Sequence, residues 1–401
     1  MKILFVHRYF WPDISPCSLI VYEISKFLAK KHSVEVLSSQ PSYRYKKKFK
    51  KLPSVEILHK VFIRRLNLPT ETTGFFWRIF NAFHLGIWIF LKCITKKYDI
   101  IIATTIPPIL GGFFSALLAK LTNTRFVYYC MDLHPETGRV SGDFKNPILY
   151  NLLLKLDNWS CKLANPVLVH SRDMKNTLLA RPSGKKYKIG IINNFAPASS
   201  LSNKNTRVGS YDKKKNLKII YAGNIGRFQG LETVIDAMNY IKLRKDIKLT
   251  VVGDGSLRSK LIQKSKKNRL NIRFIERQSL SVTKNLIKKS DIGLVSLIPE
   301  MYKYSYPSKI MTYLEQGKPF ISLVEKKSEI TKKMQLQNYG FLGEVNNYQN
   351  VGELFIKLAD NVNWKNIMRH KALYAFKKNF SANVILKKWS KVIENKNILL
   401  S

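Results

Sequence analysis

The sequence predicts an α/β protein made of two doubly wound, Rossmann-like parallel-sheet domains in tandem. Three observations predict it. The chain has 401 residues, whereas a single core stops growing at roughly 250–300. Short apolar runs alternate with amphipathic helical stretches along both halves, the pattern of a parallel sheet covered on both faces. That alternation lapses once, at residues 196–216.

In the first half KILFVHRY (2–9) is a continuous apolar run of buried-strand type, and its apolar part, 3–6, is too short for a signal peptide. A helical period follows over 18–30, then the strand SVEVLSS (33–39). Further on come DIIIATT (99–105), a helix around 113–121, RFVYYCMD (125–132) and PVLVHS (166–171). The polar stretch APASSLSNKNTRVGSYDKKKN (196–216) has almost no apolar period and reads as a linker. The alternation then restarts with KIIYAG, a helix over 231–241, KLTVVGDG (248–255), NIRFIE (271–276), DIGLVSL (291–297) and PFISLV (319–324). The expected divisions are 1–195, the linker 196–216, 217–375, and a terminal helix-like segment from 376 to 401.

Sixty-nine Lys and Arg against 26 Asp and Glu leave a net charge of +43, which calls for an anionic partner: nucleic acid, an acidic lipid surface or phosphate-bearing substrates. A Lys/Asn/Ile composition bias is the alternative origin of that excess. Four widely spaced cysteines form no C-x-x-C pair, which fits a reducing cytosol and indicates neither zinc nor a disulfide framework. The segment GFFWRIFNAFHLGIWIFLKC (74–93) matches a membrane span in length, yet Arg78, Asn81 and His84 recur on one side at helical spacing. It reads as a helix lying in a membrane interface, with Phe75, Phe76, Trp77, Ile79, Phe80, Phe83, Ile87 and Phe90 facing lipid or protein, and with a buried domain helix or a true span as the alternatives. The cationic run RYKKKFKK (44–51), with Tyr45 and Phe49 interleaved, suits anionic headgroups.

The chemistry gathers in AGNIGRFQGLE (222–232), a glycine-rich turn between a strand and a helix. Glycines let the backbone approach an anion, and the following helix start offers free N–H groups. Arg227 can add a charge-assisted bond to a phosphate. The spacing is G-x-x-G-x-x-x-G rather than the dinucleotide G-x-G-x-x-G, which disfavours an NAD-dependent dehydrogenase. Gly253-Asp254-Gly255 ends another strand on the same sheet edge, and Ser308-Lys309 opens a helix before the strand PFISLV. Hydroxyl, amides and ammonium there can converge on a diphosphate.

Together YAGNIGRFQGLETVIDA, VVGDGSLR, SDIGLVSL and YPSKIMTYLEQGKPFI resemble the donor domain of GT-B, family 4 glycosyltransferases, in the bacterial branch that builds capsule, O-antigen and other surface polysaccharides. VHRYFWPD and CMDLHPET extend the resemblance over nearly the whole chain. It implies two Rossmann-like domains facing a central cleft, and a last helix that returns to the first domain. It implies a nucleotide-sugar co-substrate, a UDP-sugar, held by Gly223, Asn224, Gly226, Arg227, Gln229, Gly230, Asp254, Arg277, Ser308, Lys309 and Thr312.

Two departures stand out. The usual arginine after the first glycine and lysine before the last are replaced by Asn224 and Gln229, and the paired E-x7-E glutamates by Tyr304 and Thr312.

On the acceptor side Asp132, His134 and Glu136 follow a strand, where a carboxylate or imidazole can take the acceptor hydroxyl's proton, and His7 ends the first strand on the same edge. The chain contains no D-x-D, so no metal is expected, and no cofactor besides the co-substrate. The resemblance further implies retention of configuration, a lipid-linked saccharide acceptor and a cytoplasmic place on the inner face of the plasma membrane. The competing reading, a non-enzymatic nucleic-acid-binding protein, predicts a basic stripe, whereas the cations here are spread over both halves. No nucleic-acid partner is therefore expected.

Overall fold

A computed structural model describes residues 1–13, 15–42, 51–69, 75–197 and 216–394. The chain divides into two compact units. The described parts of Met1–Pro197, Tyr304–Tyr306 and Ile385–Ser401 make the first, and those of Ala198–Lys303 and Pro307–Val384 the second. Most of the expected linker and the cationic run up to Lys50 lie outside the described residues.

In the first unit the order is β1 (Lys2–Val6), α1 (Pro16–Leu28), β2 (Ser33–Ser39), β3 (Val55–Leu58), β4 (Val61–Leu66), α2 (Phe75–Cys93), β5 (Ile100–Thr104) and α3 (Leu110–Leu121). Then come β6 (Arg125–Tyr129), α4 (Glu136–Ser141), α5 (Pro147–Leu163), β7 (Val167–Val169), α6 (Arg172–Leu179) and β8 (Ile189–Ile191). Helix starts follow local chemistry: Ser15 and Ser18 form a reciprocal capping box on α1, and Asn146 caps α5 ahead of Pro147.

The sheet runs β3-β4-β2-β1-β5-β6-β7-β8, parallel except for the antiparallel pair β3–β4. That edge hairpin departs from the all-parallel expectation. It turns on His59 and Lys60, both at positive φ (49° and 65°), without the Asn-Gly or Asp-Gly that usually marks such a turn.

The second unit contains β9 (Leu217–Ala222), α7 (Leu231–Tyr240), β10 (Ile247–Val252), α8 (Arg258–Lys267), β11 (Ile272–Ile275), α9 (Leu280–Lys288) and β12 (Ile292–Ser296). It continues through α10 (Lys309–Glu315), β13 (Phe320–Leu323), α11 (Glu329–Leu336), β14 (Gly340–Leu342), α12 (Tyr348–Asp360) and α13 (Trp364–Asn379). Its six strands are all parallel, in the order β11-β10-β9-β12-β13-β14. The core between this sheet and α7 and α12 is made of Ile219, Tyr221, Leu249, Val251, Leu294, Val234 and Phe355.

The terminal segment is two helices rather than one. α13 stops at Asn379, where Ser381 Oγ bonds back to the Lys377 carbonyl (3.1 Å), and α14 (Ala382–Ile393) begins beyond it. From Ile385 onward α14 belongs to the first unit. There Trp389 is fully buried, with its ring centroid 5.0 Å from Tyr129 and 6.4 Å from Phe5. Arg125 donates to the last carbonyls of the helix, Val392 O at 2.7 Å and Ile393 O at 3.1 Å.

α2 corrects the sequence reading at one position of its polar side. Asn81, assigned to a polar side, is fully buried and donates to the Pro69 carbonyl (2.9 Å). The buried face is Asn81, Ala82, Leu85, Ile89 and Cys93. Trp77, Ile79, Phe80, Phe83 and Ile87 are exposed, in agreement with the apolar face read from the sequence, and Leu91 extends that stripe. The helix packs on α3, where Phe114 lies against the bare backbone of Gly86 and a Cβ there would come within 2.1 Å of its ring. No helix among the described residues is long and apolar enough to cross a membrane.

Candidate active site

Each sheet reverses its winding once, and ligands in open α/β sheets sit beyond the carboxyl ends of the strands at that point. In the second unit the reversal lies between β9 and β12, so the tip of β9 is Gly223. Three turns converge on it. Gly253, at φ 147°, sits so close that a Cβ would come within 1.9 Å of the Gly223 carbonyl oxygen, and one on Gly255 would come within 2.3 Å of Ile225 O. Asp254 closes the pair through its carbonyl, which accepts from Ile225 N at 2.9 Å.

From the other side comes Lys309. A Cβ on Gly223 would lie 3.0 Å from Lys309 Cε and 3.6 Å from Nζ. The ammonium donates to Tyr221 Oη (3.2 Å) and stands over the same ring, 4.4 Å from its centroid. Tyr221 in turn donates to the Asn224 carbonyl (2.5 Å), which fixes the turn. Tyr313 Oη accepts from Ala222 N (2.9 Å) and ties α10 to the end of β9. No carboxylate pairs with Lys309 among the described residues, and burial pushes its pKa down to about 7. A partly buried ammonium without a counter-ion among the described residues, beside an open glycine backbone, is a ready anion site.

The remaining expected donor residues are spread around this centre. Gln229 Oε1 accepts from Gly226 N (3.1 Å), holding the turn, and Gly230 at φ 54° opens α7 without a side-chain cap. Asn224 and Arg227 are exposed. Ser308 precedes α10 and Thr312 lies one turn on, both partly buried, with neither hydroxyl bonded to the glycine turn. Arg277 stands exposed past β11, two strands from β9, or roughly 10 Å at ordinary strand spacing.

In the first unit the winding reverses between β1 and β5. The tip of β1 is His7, whose Nδ1 lies 2.7 Å from Thr104 Oγ1 at the tip of β5. Its Nε2 is buried and makes no hydrogen bond, and burial pushes the imidazole down to about 3, so it is neutral.

One strand over, Thr105 Oγ1 accepts from Met131 N (3.1 Å) and Asp132 N (3.4 Å). Asp132 also forms an isolated antiparallel bridge with Ser305, and Leu133 N donates to Tyr304 O (2.8 Å). Burial raises the Asp132 carboxyl to about 6, a value suited to a base near neutral pH.

His134 and Glu136 have other engagements. His134 Nδ1 is 3.1 Å from Thr137 Oγ1, and burial lowers its pKa to about 4. Both Glu136 oxygens accept from Arg181 (2.9 and 2.7 Å), so this carboxylate is committed to the guanidinium. Arg181 also pairs with buried Asp157 (2.6 Å) and donates to the His134 carbonyl (2.9 Å), so one guanidinium holds the whole 132–136 segment.

Sequence reading missed Arg181, Tyr221 and Tyr313. For the two tyrosines a signal existed, an aromatic ending a strand before Gly and another inside the YPSK helix. For Arg181 none did. Among the described residues no group of three or more His, Cys, Asp or Glu could hold a metal.

Residues 203–378 match the family Glycosyl transferases group 1. The chain carries a glycosyltransferase domain. That domain contains the Gly223 turn and Lys309, whereas Asp132, His134 and Glu136 lie outside it. WbjE of Pseudomonas aeruginosa, named as a glycosyltransferase, is 25% identical over 267 residues, and the match spans 64% of each chain. WcaI of Escherichia coli strain K12, named for a glycosyl transferase role in colanic acid biosynthesis, is 24% identical over 82% of this chain and 85% of its own. Around the glycosyltransferase domain, the fold follows that of Anabaena Alr3699/HepE solved with UDP-glucose, at a TM-score of 0.70 and 13% identity, over 98% of this chain and 100% of that one. The two-sheet architecture is GT-B.

Proposed function

We propose that the chain moves a glycosyl group from a UDP-sugar to a lipid-linked saccharide in bacterial capsule or O-antigen synthesis, as a family 4 enzyme acting with retention and without a metal. The observation that carries this is Lys309, a partly buried cation with no counter-ion among the described residues, beside the open backbone of Gly223. Backbone amides and a fixed ammonium stabilise a departing diphosphate without a divalent ion. The UDP-glucose complex of Alr3699/HepE and the polysaccharide role in the name of WcaI support the donor and pathway assignments.

Lys309→Met tests the donor site by calorimetry with UDP-sugars. Losing one charge-assisted bond is expected to weaken binding about 10-fold or more. Diphosphate favours the ammonium, so wild-type binding takes up a proton near pH 7 and weakens as pH rises above 7; the variant loses this dependence. Without ligand the sign reverses. The unfolded lysine titrates near ~10.4, so this group adds stability as pH rises from 7 toward that value, and at pH 7 Lys309→Met melts no lower than wild type. Unchanged affinity in the variant, or binding abolished by chelator and restored by magnesium, would overturn the assignment.

For location we propose the cytoplasmic membrane surface, through the exposed stripe of α2, where Phe80 is 52% and Leu91 65% exposed. The net charge of +43 favours anionic lipid. Phe80→Ser with Leu91→Ser is expected to reduce co-sedimentation with anionic vesicles about 10-fold or more. Equal sedimentation of the two proteins counts against the membrane assignment and leaves the donor site untouched.

A further inference from the structure

On the outer edge of the second unit, α8 and the edge strand β11 enclose a groove of about 360 Å³. Its lining is divided by chemistry. Ile262, Leu270, Ile272 and Phe274 are apolar, whereas Arg258, Lys266 and Arg269 are cationic and Ser265 is a hydroxyl. No acidic residue lines it, and none of the three cations is salt-bridged among the described residues.

Two polar atoms of this lining have nothing to bond. Arg258 Nε and Ser265 Oγ are buried without a hydrogen-bond partner, and Ser265 as a whole is only 5% exposed. Orphaned buried donors cost stability, so two of them on one groove indicate a missing acceptor. Arg269 adds a separate observation. It occupies the left-handed position just past α8 (φ 51°), with Leu270 N closing onto Ser265 O (3.1 Å), a place where glycine is usual.

We propose that this groove binds an amphipathic organic phosphate, its phosphoryl group on Arg258, Ser265 and Arg269 and its apolar part against Phe274 and Ile262. Clustered donors without an acid select an anion. The apolar wall selects an anion with a hydrophobic body, and the volume is more than twice the about 150 Å³ that holds a benzene-sized molecule. The source is either a soluble phosphate ester or the head of an anionic lipid.

Calorimetry with phenyl phosphate, monomeric dihexanoyl phosphatidic acid and inorganic phosphate tests this. At least one of the two esters is expected to saturate a single site at least 10-fold more tightly than inorganic phosphate. The tighter of the two identifies the source. The site is expected to persist in Lys309→Met, which separates it from the donor turn. Arg258→Gln and Arg269→Gly are each expected to weaken it 10-fold or more. Arg269→Gly relieves the left-handed backbone and Ser265→Ala removes an orphaned hydroxyl, so both are expected to melt no lower than wild type while binding less. Absence of a saturable site, equal affinity for inorganic phosphate, loss of the site in Lys309→Met, or unchanged binding in Arg258→Gln and Arg269→Gly would each overturn the proposal.

Discussion

Arg181→Ala is expected to destabilise the first unit by about 3–5 kcal/mol, because removing one partner of a buried ion pair leaves the others charged and unpaired. Three elements lose their common tie. Glu136 at the start of α4, Asp157 in α5 and the His134 carbonyl all bond this guanidinium, and Tyr128 on β6 donates to the other Asp157 oxygen (2.8 Å). Burial raises the Asp157 carboxyl in spite of Arg181, which shows how poorly it would bear isolation. At about 2–4 °C per kcal/mol for a unit of this size, the melting point falls by on the order of 10 °C. Thermal unfolding measures it, and Arg181→Lys, which keeps charge but not the fork, recovers only part. A shift of a degree or less would show that the network does not hold the 132–136 segment.

Asp132→Asn is expected to lower the rate of glycosyl transfer about 10²–10⁴-fold, the contribution of a positioned base. With the wild-type carboxyl at about 6, the rate falls as pH drops through 6 and levels above it, and the variant lacks that limb.

Stability moves the other way. The folded-state value lies above the ~3.9 of an unfolded aspartate, so the group contributes stability below about pH 4 and loses it as pH rises through 6. At pH 7.5 the variant therefore melts at or above the wild-type temperature. Rate loss without loss of stability distinguishes a proton acceptor from a packing residue, and wild-type transfer by Asp132→Asn would remove it from the reaction.

Strands were legible where the chain buries both faces of a parallel sheet. Runs such as DIGLVSL carry that environment in their own composition, and Ile292–Ser296 is buried throughout. The Gly223 turn was legible because its close approach to Gly253 can be made only without side chains. The β3–β4 hairpin was not, since His59 and Lys60 occupy conformations that their side chains do not advertise.

The outward apolar face of α2 was legible from Trp77, Phe80, Phe83 and Ile87, whereas Asn81 was placed on the polar side because its partner, the Pro69 carbonyl, is set only by the fold. Arg181 was invisible for a related reason. Its partners lie 45 and 24 residues away, and only the fold brings them to one point.

Trp389 enters a core whose other walls, Phe5 and Tyr129, come from the opposite end of the polypeptide. As the chain leaves the ribosome, its amino-terminal half emerges with that surface bare and waits for the final helix before it can seal. Severing the protein at residue 197 would thus not yield two self-sufficient halves: one fragment would lack its closing piece, and the other would carry an orphaned hydrophobic tail.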